Sequence, residues 1–439
     1  MIKTPLDTNF KPLIKTMQYF EVKGTQNVDI MIEDKEGFNF TIKTKITDDF
    51  NVSYNYVERL VKSLIWICGG ITVYLQGANE IGEKLKLAYS PTGERSFDYH
   101  FMNKVYNGVF KIVTTNELPP VKMKNLNVGG NLTGARIGFD AGGSDRKVSA
   151  VLDGKVIFSE EVVWHPKITS DPNYHFNGIV SALKKAARYL PRVDSVGISS
   201  AGIYINNLTC VASLFLSVPE DKYYLVKDIY PRAVQELGPN IPYVVANDGD
   251  VTALAGGISL GTNEILGIAM GTSEAGGYLN KTGGLNGWLS ELAFAPVDLQ
   301  DNAPNDPWAN DVGTGVNYFS QDAVIRLAKT AGIAIDESLS PAEKLLIVQD
   351  LMKNNDSRAK LIYETIGIYL GYTIPFYARF YDIKVVLVLG RVLSGKGGDL
   401  IVDIAQNILN NEFANLKIEI KTPDEHFKRV GQSIAASSL

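Results

Sequence analysis

The stretch RIGFDAGGSDRKVSAVLDGKVIF, residues 136–158, decides the expected fold. Apolar residues gather there in three short runs, which predict three strands: Arg136–Asp140, Lys147–Leu152 and Lys155–Phe158. The pair Asp153-Gly154 is typical of a two-residue hairpin turn between the last two strands. We therefore expect three consecutive strands, the first of which leads into the second through a glycine-rich turn.

After this hairpin the chain alternates strands with helices. The predicted strands are Ser195–Ser199, Tyr243–Ala246, Glu264–Met270, Lys384–Leu389 and Leu416–Ile420. The predicted helices are Asn177–Tyr189, Lys227–Leu237, Asp250–Leu260, Ser320–Thr330, Ala342–Lys353, Ser357–Arg379, Asp399–Asn411 and Glu425–Ala436. This alternation indicates an α/β architecture in which helices cover the sheets.

The first 130 residues show a different pattern of predicted strands and helices. Phe38–Ile46 alternates apolar and polar residues as a half-exposed strand does, and Val57–Ile67 is typical of a helix. Further strands are predicted at Ile71–Leu75, Leu85–Ala88 and Val109–Val113, and a polar stretch, Pro119–Gly134, is interpreted as a linker. We expect an N-terminal α+β domain of unknown role (1–130) and two lobes, 135–250 and 251–424, with helix 425–437 packing on the first lobe.

Composition excludes several classes of protein. The 43 basic and 48 acidic residues give a net charge of −5, and the N-terminal segment shows no clustered basic helix, so we expect no nucleic-acid partner. Two cysteines are too few for a disulfide framework or a four-thiolate zinc site. The sequence shows no export signal and no apolar run of about 20 residues, so we expect a cytoplasmic protein without a membrane partner.

Three glycine-rich turns each follow a predicted strand. They are Gly138–Ser144, Met270–Gly277 and Gly390–Gly398. Glycines let backbone N–H groups approach a phosphate closely, and the adjacent hydroxyls can bond its oxygens. The first turn differs from a Walker loop and from a dinucleotide fingerprint, because it leads into a strand rather than a helix. Together the turns predict a nucleotide-phosphate site.

A pair of side chains, Asn247-Asp248, ends another predicted strand. A carboxylate at such a position can accept the proton of an alcohol that attacks a phosphoryl group. Helix capping is the alternative interpretation, and Asp250 is close enough to serve as the cap while Asp248 stays free. Ordinary packing is the preferred interpretation of Trp164-His165-Pro166.

In this order, the motifs GFDAGGS, GISSAG, ANDGDVTALAGG, GTSEAGG and VLGRVLSGKGG resemble the ROK family of repressors and sugar kinases. The resemblance runs from Ala135 to Leu439. It implies a two-lobed actin-like, ribonuclease H-like ATPase fold with the N-terminal α+β domain added. It also implies ATP- and Mg²⁺-dependent phosphorylation of a hydroxyl of a hexose or hexose derivative.

The resemblance assigns roles to individual residues. Asp248 would be the general base, and Asp140 would hold Mg²⁺ through water. The sugar would be oriented by Asn247, Glu291 and Ser200. The nucleotide and its phosphates would be bound by Gly142, Gly143, Ser144, Gly271, Thr272, Ser273, Gly390, Gly395, Gly397 and Gly398.

Two departures from the family pattern affect these expectations. Glu291 is followed by Leu-Ala-Phe where the family has a histidine, and no cysteine-rich zinc knuckle follows, so we expect no zinc. The inserted stretch Ala303–Gly315 would replace the knuckle or simply pack as a loop, the second interpretation being preferred. Ser144 stands where threonine is usual. A catalytically impaired sugar- or nucleotide-binding regulator is therefore the alternative function. An activator ATPase is the third interpretation. One expected assembly is a homodimer.

Overall fold

The computed structural model describes residues 1–124, 128–423 and 425–439, and the side chains of 425–430 are outside that description. Parts of two predictions, the linker 119–134 and the packing of helix 425–437, fall on residues outside the described ones. The chain divides into two compact units. The first unit comprises Met1–Lys124, Ile268–Gly276 and Trp288–Thr422; the second comprises Asn125–Gly267, Gly277–Gly287 and Pro423–Leu439. The predicted domain boundaries stay a prediction.

Residues 1–124 form a four-stranded sheet with helices. The elements are α1 (Leu13–Lys23), β1 (Gln26–Glu33), β2 (Asn39–Ile46), α2 (Phe50–Ile67), β3 (Thr72–Gln76), α3 (Asn79–Ala88), α4 (Ser96–Tyr106) and β4 (Lys111–Thr115). The strand order is β2-β1-β3-β4. Strand β1 pairs antiparallel with both of its neighbours, and β3 pairs with β4 in parallel. This segment is α+β.

One predicted strand in this segment is wrong. Leu85–Ala88 belongs to helix α3. The buried side chains Ile81, Leu85 and Ala88 are four and three residues apart, which is the spacing of one helical face. Leu87, which a strand would have needed for its apolar run, is 74% exposed. The short apolar run was therefore part of a helical stripe rather than of a strand.

The remainder of the first unit is built mainly from helices around part of a second sheet. The elements are β12 (Ile265–Met270), β13 (Glu274–Leu279), β14 (Asn305–Asp306), β15 (Asp311–Val312), α9 (Gln321–Thr330), α10 (Pro341–Lys353), α11 (Ser357–Tyr377), β16 (Val385–Leu389), α12 (Lys396–Glu412) and β17 (Glu419–Lys421). The strand order is β13-β12-β16-β17, and β12 and β13 each cross from one unit to the other. Capping side chains begin α9, α10 and α11, and at α10 Ser340 and Glu343 form a capping box.

A buried ionic network ties the N-terminal segment into the first unit. Asp311, in the inserted stretch, accepts from Lys62 at 2.6 Å, from Arg95 at 2.7 Å and from Arg59 at 3.1 Å. Glu58 pairs with both arginines, and Asp98 pairs with Lys62 at 3.2 Å. Burial raises the pKa of Asp311, but the three cations outweigh it and hold that pKa well below its usual range. The inserted stretch, which contains β14 and β15, thus packs against α2 and the residues at the start of α4.

The second unit is centred on a five-stranded sheet. Its elements are β5 (Ala135–Ala141), β6 (Asp145–Leu152), β7 (Lys155–Val163), α5 (Pro172–Ala187), β8 (Ser195–Ser200), β9 (Ile203–Ile205), β10 (Leu208–Val211), α6 (Tyr224–Lys227), α7 (Ile229–Gln235), β11 (Tyr243–Asn247), α8 (Asp248–Leu260) and α13 (Glu425–Ser437). The strand order is β11-β8-β5-β6-β7. Strands β5, β6 and β7 pair antiparallel as the hairpin sequence predicts, and β5, β8 and β11 run parallel.

Two glycines allow the end of α13 to pack directly on this sheet. Gly138 in β5 and Gly197 in β8 are register partners. A Cβ on Gly138 would lie 1.6 Å from the Ser433 carbonyl oxygen, and one on Gly197 would lie 1.7 Å from that of Ala436. Any side chain at either position would therefore force the helix off the sheet. In the described part of the chain, every helix is too short or too polar to cross a lipid bilayer.

Candidate functional site

The parallel strands of the second unit end in a row of polar side chains. In the strand register, Ala141 of β5 pairs with Ser200 of β8, and Ser200 pairs with Asn247 of β11. One residue earlier, Asp140 pairs with Ser199. The carboxyl ends of parallel strands meet at one sheet edge, which is where ligands of open α/β sheets bind. The register therefore brings the predicted residues Asp140, Ser200 and Asn247 together.

Asp140 is buried and held in place by two donors. The Ser199 hydroxyl donates to its Oδ1 at 2.8 Å. The amide of Gln432, oriented so that its oxygen accepts from Thr252 at 2.7 Å, donates to the same oxygen at 3.0 Å. Burial raises the pKa of Asp140 to about 6; the Ser199 hydrogen bond opposes this rise, and the charge of Asp248 adds to it. Its protonation consequently changes near physiological pH.

Asn247 and Asp248 lie at the junction of β11 and α8. Asn247 is the N-cap residue: its Oδ1 accepts from the Gly249 N–H at 2.7 Å, and its Nδ2 donates to the Gly202 carbonyl at 2.8 Å. Asp248 is the first helical residue, and its Oδ1 also accepts from the Gly249 N–H, at 3.1 Å. Burial raises the pKa of Asp248, while this N–H and the charge of Lys167 lower it. A carboxylate whose pKa is raised is a stronger proton acceptor, which suits proton abstraction from an alcohol.

The idea that Asp250 caps α8 is wrong. Asp250 accepts instead from the Tyr278 N–H at 3.1 Å and so anchors strand β13 to the helix. Burial raises its pKa to about 7, the Tyr278 N–H opposes the rise, and the Asp248 charge adds to it. Asn247 takes the cap because its side chain precedes the first helical N–H groups. Capping by Asn247 leaves the second oxygen of Asp248 available for a substrate.

Ser200, predicted to contact the sugar, is fully buried. Its hydroxyl oxygen accepts from Tyr204 at 2.6 Å and from Tyr230 at 2.7 Å. These two contacts make Ser200 part of the packing beneath the row of strand ends. Its role as a sugar ligand stays a prediction, and the burial argues against a direct contact.

The first glycine-rich turn, Gly142–Ser144, joins β5 to β6. The indole of Trp164 donates to the Gly142 carbonyl at 2.7 Å, and its backbone N–H donates to the Ser144 carbonyl at 3.1 Å. Trp164 is buried, as the packing interpretation predicts, and its two hydrogen bonds support the turn. Because both carbonyls are bonded to Trp164, the turn is held in one conformation.

The other two glycine-rich turns lie at neighbouring strand ends of the first unit. The Gly271 N–H donates to the Ser273 carbonyl at 3.0 Å, which closes a tight turn around Thr272. Gly390, with φ of +108°, follows β16, and a Cβ there would lie 2.3 Å from the Met270 carbonyl oxygen. Only glycine permits this approach of the two turns.

A cavity of about 410 Å³ adjoins the third turn. Its walls are residues of α10, α11 and the start of α12, and four of them belong to the predicted nucleotide motif: Ser394, Gly395, Lys396 and Gly397. The ring of Tyr363 also lines it and packs so closely on Gly397 that a Cβ there would lie 2.4 Å from the ring. Volumes of 300–1,000 Å³ are typical of small-molecule sites.

The hydroxyl of Tyr363 is an orphaned polar group beside this cavity. It is buried and has no hydrogen-bond partner among the described residues. Leaving a buried hydroxyl unpaired costs about 1–3 kcal/mol, and a ligand can remove that cost. This group and the glycine-rich turn border a cavity whose volume is in the range of small-molecule sites. Sequence reasoning missed Tyr363, because nothing near it in the chain marks it as functional.

Glu291 and Glu274 lie in the first unit. The Glu291 N–H donates to the Trp66 carbonyl at 3.0 Å, and the three residues after it are buried in a short 3₁₀ turn. Glu274 begins β13 inside the second glycine-rich stretch, and sequence reasoning gave it no role. It is buried, one of its oxygens has no partner among the described residues, and burial raises its pKa to about 8 despite a 3.4 Å contact with the Tyr377 hydroxyl.

The donors of the second unit suit Mg²⁺ better than a soft metal. Asp140 supplies carboxylate oxygens, and Mg²⁺ is usually bound by one or two carboxylates together with waters and substrate phosphates. Among the described residues, no group of three or more His, Cys, Asp and Glu side chains could hold a metal by itself.

Solved structures resemble the chain, although no family model and no curated protein matches its sequence. A ROK hexokinase from Thermus thermophilus, 16% identical, aligns with a TM-score of 0.54 over 69% of this chain and 96% of that one. The Lmo2764 protein from Listeria monocytogenes, described as an N-acetylmannosamine kinase, gives 0.50 at 14% identity over 69% and 97%. The chain therefore has the ROK-family fold.

A regulator shares this fold. A ROK-family transcriptional regulator homologous to the Mlc protein of E. coli, 15% identical, aligns with a TM-score of 0.51 over 70% of this chain and 79% of that one. The expected two-lobed actin-like ATPase fold is thus confirmed. At these identities the likeness establishes the fold alone, so the chemistry has to be argued from the residues of this chain.

Proposed function

We propose that this protein is an ATP- and Mg²⁺-dependent kinase that transfers a phosphoryl group to a hydroxyl of a hexose or hexose derivative. The observation that carries the proposal is the placement of Asn247 and Asp248 at the end of β11, in one row with Asp140. Asn247 caps α8, and the adjacent Asp248 carboxylate, which also accepts from the Gly249 N–H, is a proton acceptor with a fixed direction. Phosphoryl transfer needs such positioning more than it needs covalent help.

The residues of the second unit would act on the sugar and the phosphate. Asp248 would take the proton of the attacking hydroxyl, because burial raises its pKa and so strengthens the carboxylate as a proton acceptor. Asp140, held by Ser199 and Gln432, would carry a water ligand of Mg²⁺. Mg²⁺, when bound, neutralises negative charge on the nucleotide phosphates. The N–H groups of Gly142–Ser144 would bind a phosphate oxygen.

The residues of the first unit would bind the nucleotide. Gly271–Ser273 would bind phosphate through N–H and hydroxyl groups, and the cavity beside Gly395 and Gly397 would hold the base. Tyr363 would pair its hydroxyl with a polar atom of that base. Glu291 is proposed as a sugar ligand, as the resemblance implies.

The test uses the full chain with ATP, Mg²⁺ and a panel of hexoses and amino-hexoses, with ADP release as the readout. Turnover that saturates with one sugar supports the proposal. Asp228→Asn is a suitable control for variants of the base, because Asp228 lies in the same unit in a partly exposed pair with Arg232. If the protein binds ATP but phosphorylates no sugar of the panel, the kinase proposal is wrong.

A second function, a sugar- or nucleotide-responsive protein without catalysis, is favoured by one observation. The three residues after Glu291 are buried apolar residues, so that segment offers the sugar no imidazole. Calorimetry distinguishes the two functions: tight sugar binding without any phosphorylated product would favour the regulator. We therefore propose binding and turnover measurements on the same preparation.

A further inference from the structure

A lysine lies against the first glycine-rich turn. A Cβ built on Gly143 would lie 2.7 Å from Cε and 3.0 Å from Nζ of Lys167. The ammonium group therefore occupies the space that the missing side chain leaves above the turn. Lys167 is exposed, and the described part of the chain gives its ammonium no carboxylate within ion-pair distance. It is a cation at a predicted phosphate site, and no ion-pair partner within contact distance is found for it among the described residues.

The backbone around Lys167 is firmly anchored. Lys167 belongs to a 3₁₀ turn, Pro166–Ile168, and its carbonyl accepts from the Ser217 hydroxyl at 2.5 Å. The carbonyl oxygen of Pro166 lies 3.0 Å from Nε2 of the fully buried His175. The Thr169 hydroxyl donates to the His165 carbonyl at 2.6 Å. These contacts fix the backbone at Lys167 before any ligand binds, so that only the side chain remains to be ordered.

Lys167 also acts on Asp248. Its positive charge is among the causes that lower the pKa of Asp248, against burial, which is the larger cause and raises it. The ammonium thus lies near the predicted base as well as on the turn. In phosphoryl transfer, negative charge is concentrated on the oxygens of the group that passes between the base and the phosphate site. A fixed cation at that place stabilises the transition state more than the ground state.

We propose that Lys167 binds the transferred phosphoryl group; this inference rests on the proposed kinase function. The sugar oxygen forms a bond to the γ-phosphorus while its proton passes to the Asp248 carboxylate. The bond between the γ-phosphorus and the β–γ bridging oxygen breaks, and ADP leaves with that electron pair. Lys167 keeps its protons throughout and pairs with the phosphoryl oxygens. Arg and Lys residues are the usual side chains in this role.

Protection from acylation tests this contact without requiring turnover. The full chain is treated with N-hydroxysuccinimidyl acetate, alone and with inorganic phosphate or Mg–ATP, and modification of each lysine is followed by mass spectrometry. We expect phosphate and Mg–ATP to slow acylation of Lys167 by at least about fivefold, because ion pairing withdraws the amine. Lys155 is the internal control: it is exposed and begins β7 at the end away from Gly143. If phosphate and Mg–ATP leave the acylation rate of Lys167 unchanged, as at Lys155, the proposal is overturned.

Kinetics of matched variants give a second measurement. For Lys167→Met we expect kcat to fall at least about 100-fold, with the KM for sugar nearly unchanged, since the lost contact belongs to the transition state. The acid limb of the kcat/KM profile should move to higher pH, because Asp248 loses a nearby positive charge. Lys167→Arg should keep more activity than Lys167→Met, and Lys155→Met should match the wild type.

The outcomes separate this proposal from the kinase function itself. If the wild type phosphorylates a sugar and Lys167→Met behaves like Lys155→Met, the role of Lys167 is wrong and the kinase function stands. If the wild type phosphorylates no sugar, the kinase function fails and the acylation result alone decides whether Lys167 binds phosphate.

Discussion

The ammonium of Lys62 and the carboxylate of Asp311 form an ion pair of 2.6 Å in the interior of the first unit, where neither side chain is exposed to more than 1%. One lies in the N-terminal segment and the other in the inserted stretch near residue 310. Arg59 and Arg95 bind the same carboxylate. The N-terminal segment is therefore joined to the rest of its unit by charges that are far apart in the sequence.

Removal of the Asp311 charge should destabilise the protein severely. In Asp311→Asn, three buried cations lose their shared counter-charge, and breaking such a buried pair typically costs about 3–5 kcal/mol. Urea unfolding followed by circular dichroism gives the free energy of unfolding. Asp301→Asn, at an exposed site of the neighbouring loop, is the control and should change little. Equal stability of the two variants would contradict a structural role for the network.

Because of Glu274, the free energy of unfolding should fall as the pH rises. Its pKa is about 8 in the folded chain against an ordinary value of 4.5, so the folded state binds the proton more tightly than the unfolded state. Stability from this group is full below about pH 4.5 and is lost as the pH rises to about 8. Glu274→Gln should reduce this loss by up to about 5 kcal/mol. Unfolding free energies at several pH values measure it, with the exposed Glu80→Gln as control. Identical pH curves for wild type and Glu274→Gln would refute the prediction.

Tyr363→Phe should separate stability from nucleotide binding. Deletion of a buried hydroxyl without a partner should leave the free energy of unfolding unchanged or raise it by about 1 kcal/mol. If the hydroxyl pairs with the base, the affinity for ATP should fall by roughly tenfold, measured by calorimetry. Tyr318→Phe is the contrasting variant, because that hydroxyl donates to Asp298 at 2.6 Å and its loss should destabilise the protein. Unaltered ATP binding by Tyr363→Phe would place the base elsewhere.

The sequence predicted those parts of the fold that are written in local patterns. Strand β5, its hairpin and the glycine turn follow from apolar runs and an Asp-Gly pair. Helix α3 was mistaken for a strand because its short apolar run hid a helical spacing. The pairing of Lys62 with Asp311 could not be predicted, since nothing local relates the two positions.

For the candidate site too, the sequence predicted only the residues that local patterns mark. Asp140 and Asn247 follow strands, and the register brings them into one row because parallel strands align their ends. The cap of α8 was assigned to Asp250, because sequence alone does not distinguish neighbouring acidic and amide residues at a helix start. Lys167 and Tyr363 went unnoticed, since each reaches its place only through tertiary packing on a glycine, Gly143 and Gly397 respectively.

The most direct test of the central claim is the rate of sugar phosphorylation by the wild type and by Asp248→Asn, measured with Mg–ATP and the preferred hexose. Removal of a general base should lower kcat by about 10²- to 10⁴-fold, while Asp228→Asn keeps the wild-type rate and both variants bind ATP and unfold like the wild type. An Asp248→Asn enzyme as fast as the wild type would contradict the assignment of Asp248 as the catalytic base.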